Sequence, residues 1–292
     1  MIDIAMATFN GSDFLKKQIA SIQNQTYTNW RLIISDDGSS DDTLKIILDC
    51  MKDDCRIKLV NTSKKNGVVN NFNEALLHTT APHIILCDQD DVWPNNKLEK
   101  LLCEMKSAEL DNDLPVLIFT DLTLIDGDDN IIADSYYHVN KFNPKHNLKY
   151  NNLLWHSTIY GCSIILNRKL LNIALPIPSD VSMHDHWLSL IAMKYGKLIY
   201  YDFKSTFYRQ HQNNQVGGRP NSFLFKMKKL PNYYRKIKLD AVHMKAHIKY
   251  LEEAKSERRK IWGGVILSIL KSIIIGNKKV YSLCLLFLLV KI

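Results

Sequence analysis

The sequence predicts an α/β fold, a mainly parallel sheet covered by helices on both sides, and three observations predict it. Short apolar runs alternate with helical patterns through the first 210 residues, as they do where crossovers return each strand to one sheet. Three of those runs end abruptly in polar and acidic residues, at the edge where open α/β sheets bind ligands. The composition, 46% hydrophobic and 23% charged over 292 residues, suits one large globular domain with an appendage.

Residues 2–8 form the first strand, ending at Thr8-Phe9-Asn10. Asp3 stands where a signal peptide carries basic residues, and the apolar run is only a strand long, so it is expected to be fold rather than leader. A helix follows over 12–24, with Ser12 as cap and Leu15, Ile19 and Ile22 sharing a face. The second strand, 30–35, ends in Ser35-Asp36-Asp37-Gly38-Ser39-Ser40-Asp41. Asp41 reads as a turn residue capping the next helix, whereas Asp36 and Asp37 lie earlier, on the strand edge. A carboxylate there can accept from the imide N–H of uracil or thymine, which selects pyrimidine nucleotides. The third strand, 57–61, runs into Lys64-Lys65-Asn66-Gly67-Val68-Val69-Asn70-Asn71, a loop expected to border the base or ribose through Asn66.

The fourth strand, 84–87, ends in Asp88-Gln89-Asp90-Asp91. Carboxylates gathered at the end of a buried strand repel one another and lose solvation, so a divalent cation is expected between them. An acidic solvated loop capping a helix near Asn95 is the plainer alternative, and the apolar run before it argues against that. A fifth strand follows at 116–120, a later one begins at Tyr160-Gly161-Cys162-Ser163, and Met183-His184-Asp185-His186-Trp187-Leu188 opens a helix. Asp185 there is favoured by the helix dipole even without chemistry, and Trp187 suits a core as well as a sugar ring.

Several classes are excluded. Neither GxGxxG nor GxxxxGK[ST] occurs, so a nucleotide diphosphate has to be held by metal. The six cysteines make no CxxC pair, which argues against structural zinc and a disulfide scaffold and for a reducing, cytoplasmic compartment. His184 and His186 stand two apart with no HExxH spacing, and Cys162 has no partner to make it a nucleophile.

The formal net charge of +8 is segregated: residues 1–218 carry 21 Lys/Arg against 26 Asp/Glu, and 219–292 carry 17 against 4. The companions of that basic charge are aliphatic, which points to an anionic membrane surface and away from nucleic acid. Leu230, Tyr234, Ile237, Ala241, Met244, Ile248 and Leu251 form an amphipathic stripe that suits packing on the main domain. The apolar runs of 265–275 and 280–290 are too short to span a bilayer and are expected to lie in its interface rather than in a core.

Ala7-Thr8-Phe9-Asn10-Gly11, Gln25-Thr26-Tyr27, Ser35-Asp36-Asp37-Gly38-Ser39-Ser40-Asp41-Asp42-Thr43, Asn66-Gly67-Val68 and Asp88-Gln89-Asp90-Asp91-Val92-Trp93 resemble, in order and spacing, the motifs of family 2 glycosyltransferases with the GT-A fold. The resemblance covers roughly 1–215, leaving 216–292 as a basic helical tail, and is nearest the bacterial rhamnosyltransferase branch that builds O-antigen, capsule and other surface polysaccharides. It implies that Asp88-Gln89-Asp90 is the DxD that holds Mg²⁺ or Mn²⁺ on the phosphates of a nucleotide-sugar, with Asp90 the main ligand. Asp88 then faces the ribose or metal-bound water, and Asp91 holds the loop or shares the ion. Thr8, Asn10, Asp36, Asp37, Asn66 and Asp88 become the donor-nucleotide contacts. Asp185 matches the catalytic base of an inverting transfer, with His184 and Trp187 beside it.

Tyr208-Arg209-Gln210-His211 resembles the family's closing segment, which makes Arg209 and His211 candidate contacts of the diphosphate or metal. The Gln-x-x-Arg-Trp signature of processive synthases is missing, so one sugar per encounter is expected. The implied donor is dTDP-rhamnose or a UDP-hexose, and the acceptor a saccharide on undecaprenyl diphosphate at the inner face of a bacterial cytoplasmic membrane. Two alternatives are a nucleotidyltransferase acting on sugar phosphates, which normally has a Gly- and Lys-bearing loop where this chain has Phe9-Asn10-Gly11-Ser12, and a non-enzymatic membrane adaptor, which does not need Asp88, Asp90 and Asp185 together.

Overall fold

A computed structural model describes residues 1–110, 113–211, 230–251, 255–275 and 282–286. Eight strands form one sheet: β1 (Ile2–Thr8), β2 (Trp30–Asp36), β3 (Ile57–Asn61), β4 (His83–Cys87), β5 (Val116–Ile125), β6 (Ile131–Ala133), β7 (Ile164–Asn167) and β8 (Lys197–Arg209). Their order is β3-β2-β1-β4-β7-β5-β6, with β8 also paired to β5. The first four strands and the β5–β8 pair are parallel, but β7 enters antiparallel between β4 and β5, and β6 is antiparallel to β5. The sheet is therefore mixed, mainly parallel as expected, with β6 and β7 as its antiparallel members. The four-residue β7 is buried on both faces, and a short continuous apolar run carries no signal of its direction.

Strand alternation divides the core in two. In β1, Ile2, Ile4 and Met6 face α1 (Leu15–Gln23), α2 (Thr43–Asp53) and α4 (Lys97–Glu109), through Leu15, Ile19, Ile47, Leu98 and Met105. Ala5 faces the other way, with α3 (Val68–Leu77), α7 (Arg168–Ala174) and α8 (His184–Tyr195), through Phe72, Leu170 and Leu188. Two short helices, α5 (Tyr136–Val139) and α6 (Tyr150–Leu153), complete that side. The helix read over 12–24 begins only at Leu15, and Ser12 does not cap it. Gly11 O takes the Phe14 and Leu15 amides, while the Ser12 amide donates to Asp41. The residues 161–163, read as strand, make a 3₁₀ turn before β7.

Two further helices, α9 (Leu230–Leu251) and α10 (Lys255–Ile275), belong to the same apolar cluster as α8. Of the amphipathic stripe, Ile237, Ala241, Met244, Ile248 and Leu251 are all buried, so that face is core, as read. The expectation that the later apolar runs stay out of a core is corrected. Val265, Ile269 and Leu285 are fully buried, and Trp155 Nε1 donates to Ser268 Oγ at 3.0 Å across the α6–α10 contact. Ile266, Leu267 and Leu270 on the far side of α10 remain exposed. Among the described residues no helix is long and apolar enough to cross a membrane. Residues 276–281 and 287–292, and the 215/216 boundary within 212–229, lie outside the described residues.

Candidate active site

The site lies at the carboxyl ends of β1, β2 and β4, where backbone groups leave the sheet unpaired and side chains complete the bonding. Thr8 Oγ1 donates to Asp36 Oδ2 at 2.7 Å, and the Ser39 hydroxyl and amide donate to the same carboxylate at 2.6 and 2.7 Å. Asp36 is fully buried by these partners. Asn10, at φ 45°, receives no strand partner; its amide donates to Ser39 Oγ and its Oδ1 accepts from the Ser40 amide, both at 2.9 Å. Asp37 accepts from the amides of Lys65, Asn66 and Gly67, the last two at 2.9 and 2.8 Å. That turn needs positive φ at Asn66 (63°) and Gly67 (119°), which explains the Asn-Gly sequence and places Asn66 beside the β2 edge. Asp36 and Asp37 thus organise the loops at the carboxyl end of β2, with all four of their oxygens engaged by protein.

The acidic turn is joined to β1 by Gln89. Its Oε1 accepts from the Phe9 amide at 2.9 Å and its Nε2 donates to the Phe9 carbonyl at 3.0 Å. A Cβ at position 11 would lie 2.3 Å from that Oε1, so Gly11 is what lets the two strand ends meet. The turn is not the solvated loop of the plainer reading, because Asp91 is fully buried and Asp88 and Asp90 are only partly exposed. Burial and the neighbouring Asp90 and Asp185 charges raise the Asp88 pKa to about 7, and burial first of all pushes Asp91 well up.

From the far end of the chain, β8 closes on this turn. Val92 and Phe207 exchange backbone hydrogen bonds at 3.1 and 2.9 Å. The Arg209 amide donates to Asp91 Oδ1 at 3.2 Å, and its fully buried guanidinium reaches the Asp90, Asp126 and Gly127 carbonyls and Asp129. Arg209 therefore fixes the turn through carbonyls and is withdrawn from the open edge. His211 Nε2 lies 2.7 Å from Asp90 Oδ2, and its ring packs on Phe14.

Asp185 lies in the first turn of α8. Its Oδ2 accepts from the Gly161 amide at 2.9 Å and its Oδ1 from the His186 amide at 2.6 Å. Burial raises its pKa to about 6, against those amides, which hold it down. It is one of the charges that raise Asp88, so the structure brings the two carboxylates into one field. His184 is buried with its ring 4.0 Å from Phe72, and a Cβ on Gly161 would lie 2.7 Å from its Nε2. Trp187 is not brought to this cluster. Its Nε1 donates to Ala174 O at 2.9 Å and its ring meets Tyr250 in an apolar pocket with Pro176, Ile177 and Ile191.

Ligand atoms of Asp88, Asp91 and Cys162 lie within 4.8 Å of one another, and the second oxygen of Asp91 has no hydrogen-bond partner among the described residues. The two carboxylates offer the oxygen donors a hard divalent ion takes, whereas the third neighbour is a soft sulfur that burial keeps as the thiol. Asp90, expected as the main ligand, is outside that group. Two participants escaped the sequence reading. Gln89 is the unnamed middle of the acidic motif, and Lys97, wholly buried beneath the turn, reads in sequence as an ordinary surface lysine.

The profile of "Glycosyl transferase family 2" matches residues 3–172. The UDP-Glc:alpha-D-GlcNAc-diphosphoundecaprenol beta-1,3-glucosyltransferase WfgD of Escherichia coli is 30% identical over 66% of this chain and 70% of its own length. The dTDP-rhamnosyl transferase RfbG of Shigella flexneri is 28% identical over 79% of this chain and 81% of its own. Among solved structures, S. aureus TarS 1-349 in complex with UDP-GlcNAc superposes with a TM-score of 0.64 at 13% identity, over 97% of this chain and 75% of that one.

Proposed function

The chain belongs to the family 2 glycosyltransferases, and from that premise we propose an inverting transfer of one sugar from a pyrimidine nucleotide-sugar to a saccharide on undecaprenyl diphosphate, with Asp185 as base and Mg²⁺ or Mn²⁺ at the acidic turn. The observation that carries this reading is the common field of Asp88, at the end of β4, and Asp185, in the first turn of α8. WfgD and RfbG support the rest: their names give UDP and dTDP donors, both pyrimidines, and WfgD's gives a diphosphoundecaprenol acceptor in the kind of chemistry that builds surface polysaccharides.

Asp185 takes the acceptor hydroxyl's proton as that oxygen attacks the anomeric carbon from the face opposite the leaving nucleotide. A base with a pKa of about 6 is ionised at neutral pH yet still basic enough to accept a proton in the transition state. The Gly161 and His186 amides fix both of its oxygens, so its remaining lone pairs have one direction. Asp88, Asp90 and Asp91 would hold the ion, which when bound offsets the charge growing on the departing diphosphate. Thr8, Asn10 and Asn66, in the loops that Asp36 and Asp37 shape, border the nucleotide. Arg209 positions the turn, and His211 stands at its open edge.

Residues 1–215 form the catalytic unit and 216–292 the tail that attaches it peripherally to the inner leaflet. Exposed Arg235, Lys238, Leu239, Val242 and Lys249 on α9 and Ile266, Leu267, Leu270 and Lys271 on α10 support that attachment, since basic and apolar side chains share the outward faces.

Asp185→Asn tests the base. Transfer is expected to fall by ~10²–10⁴-fold while calorimetry still records donor binding, and normal turnover by the variant overturns the assignment. Slow hydrolysis across a panel of nucleotide-sugars with Mn²⁺ identifies the donor.

A further inference from the structure

The helix that carries Asp185 has no N-cap side chain of its own. Met183 stands at the N-cap of α8 and offers no side-chain oxygen to the first turn. Two bonds from the preceding residue hold the turn instead. The Ser182 hydroxyl lies 2.8 Å from His186 Nδ1, and the Ser182 amide donates to Nε2 of His247, on α9, at 3.4 Å. The chemistry of the partners fixes every donor along this path. His186 Nε2 meets the Leu153 carbonyl, which can only accept, so the His186 proton sits on Nε2 and its Nδ1 takes the Ser182 hydroxyl hydrogen. His247 Nε2 faces an amide, which can only donate, so the His247 proton sits on Nδ1. Both rings are buried, which keeps them neutral. They also pack edge to face, with centroids 4.6 Å apart. His186 in turn gives its backbone amide to Asp185 Oδ1 at 2.6 Å.

We propose that His247 is a positioning residue for the transfer: by holding the Ser182 amide from α9 it sets the entry of the chain into α8 and, through His186, the direction of the Asp185 carboxylate. This rests on Asp185 as the base and extends the catalytic unit beyond residue 215 to one helix of the tail. Two faces of α9 then have separate tasks. The outward one carries Leu239, Val242 and Lys249, and the inward one mounts the base. Contacts further along α8 keep the two helices in register, since Tyr250 meets the Trp187 ring and Lys194 Nζ donates to the Leu251 carbonyl.

The test compares His247→Gln, His247→Leu and His247→Asn in the full-length protein, read by kcat and donor KM across UDP- and dTDP-sugars with Mn²⁺ and by hydrogen exchange of the Ser182 amide. Gln places an acceptor oxygen where Nε2 stands, Asn places one a methylene short of it, and Leu places none. His247→Gln is expected to keep kcat within about threefold, while His247→Leu and His247→Asn lose ~10²-fold with donor KM within about twofold, the size of a small misplacement of a catalytic group. The Ser182 amide is expected to exchange about tenfold faster, or more, in those two variants only. A histidine that merely fills the core predicts the reverse order, because Leu removes a buried polar group and keeps kcat, while Gln buries a fresh amide. Leu at or above Gln in kcat, or Ser182 exchange unchanged by Leu, overturns the proposal. If His247→Leu does not fold, Gln against Asn decides, and equal kcat or equal exchange in that pair overturns it. Normal turnover by Asp185→Asn, or no turnover of any donor by the wild type, refutes the parent reading instead, while the exchange series still decides whether His247 holds the start of α8.

Discussion

At the scale of the residue, Asp185 shows how a site's chemistry depends on what surrounds it. Its raised pKa of about 6 has two consequences of opposite sign. The base works only when ionised, so kcat/KM is expected to fall about tenfold per unit as pH drops below about 6, checked by a pH–rate profile. Stability runs the other way. Between the ordinary carboxylate value of 3.8 and about 6 the folded protein holds a proton that the unfolded chain has released, so the wild type loses stability as pH rises through that window. Asp185→Asn is therefore expected to melt higher than wild type at pH 8, with the gap closing towards pH 4, which calorimetry reads directly. Gly161 supplies a third prediction. The Cβ of Gly161→Ala meets His184 Nε2 at 2.7 Å and pushes the residue next to the base, so kcat is expected to fall by about tenfold or more with donor KM within about twofold. Asp88 and Asp90 stand out in the sequence because they follow an apolar run, and Asp185 only through the resemblance carried by residues 183–188. Lys97 and Gln89 were not, since only three-dimensional burial distinguishes them from surface residues.

At the scale of the element, the stripe on α9 was readable because a 3.6-residue repeat survives in any context, and five of its members are buried against the domain. Met244→Ala, which empties a fully packed position there, is expected to cost ~2–5 kcal/mol, measured as a lower urea midpoint at constant m. The α1 boundary was less legible. Ser12 has the right chemistry for a cap, but Asp41 claims its amide and Gly11 starts the turn instead. Whether α10 was core or interface could not be read from its composition, because both of its sides are apolar. Only the docking of Val265 and Ile269 separates the buried face from the one carrying Leu267 and Leu270.

At the scale of the whole molecule, the α/β class and the ligand-binding edge followed from alternation, while the antiparallel entry of β7 did not, because pairing direction is set by long-range contacts. Charge segregation is likewise a property of the whole chain. Binding to vesicles of anionic lipid is expected, weakening steeply with salt, and Leu267→Glu with Leu270→Glu is expected to abolish co-flotation while leaving transfer to a water-soluble acceptor intact. The closure of β8 on the acidic turn also sets a timetable for the molecule's birth. Asp91 and the Arg209 amide that holds it are separated by 118 residues, which a ribosome adds in about 6–24 s at ~5–20 residues per second. Throughout that interval a nascent chain carries the acidic residues without their clamp, so an unfinished polypeptide, even one long enough to have folded β1 to β4, has no assembled site with which to waste nucleotide-sugar.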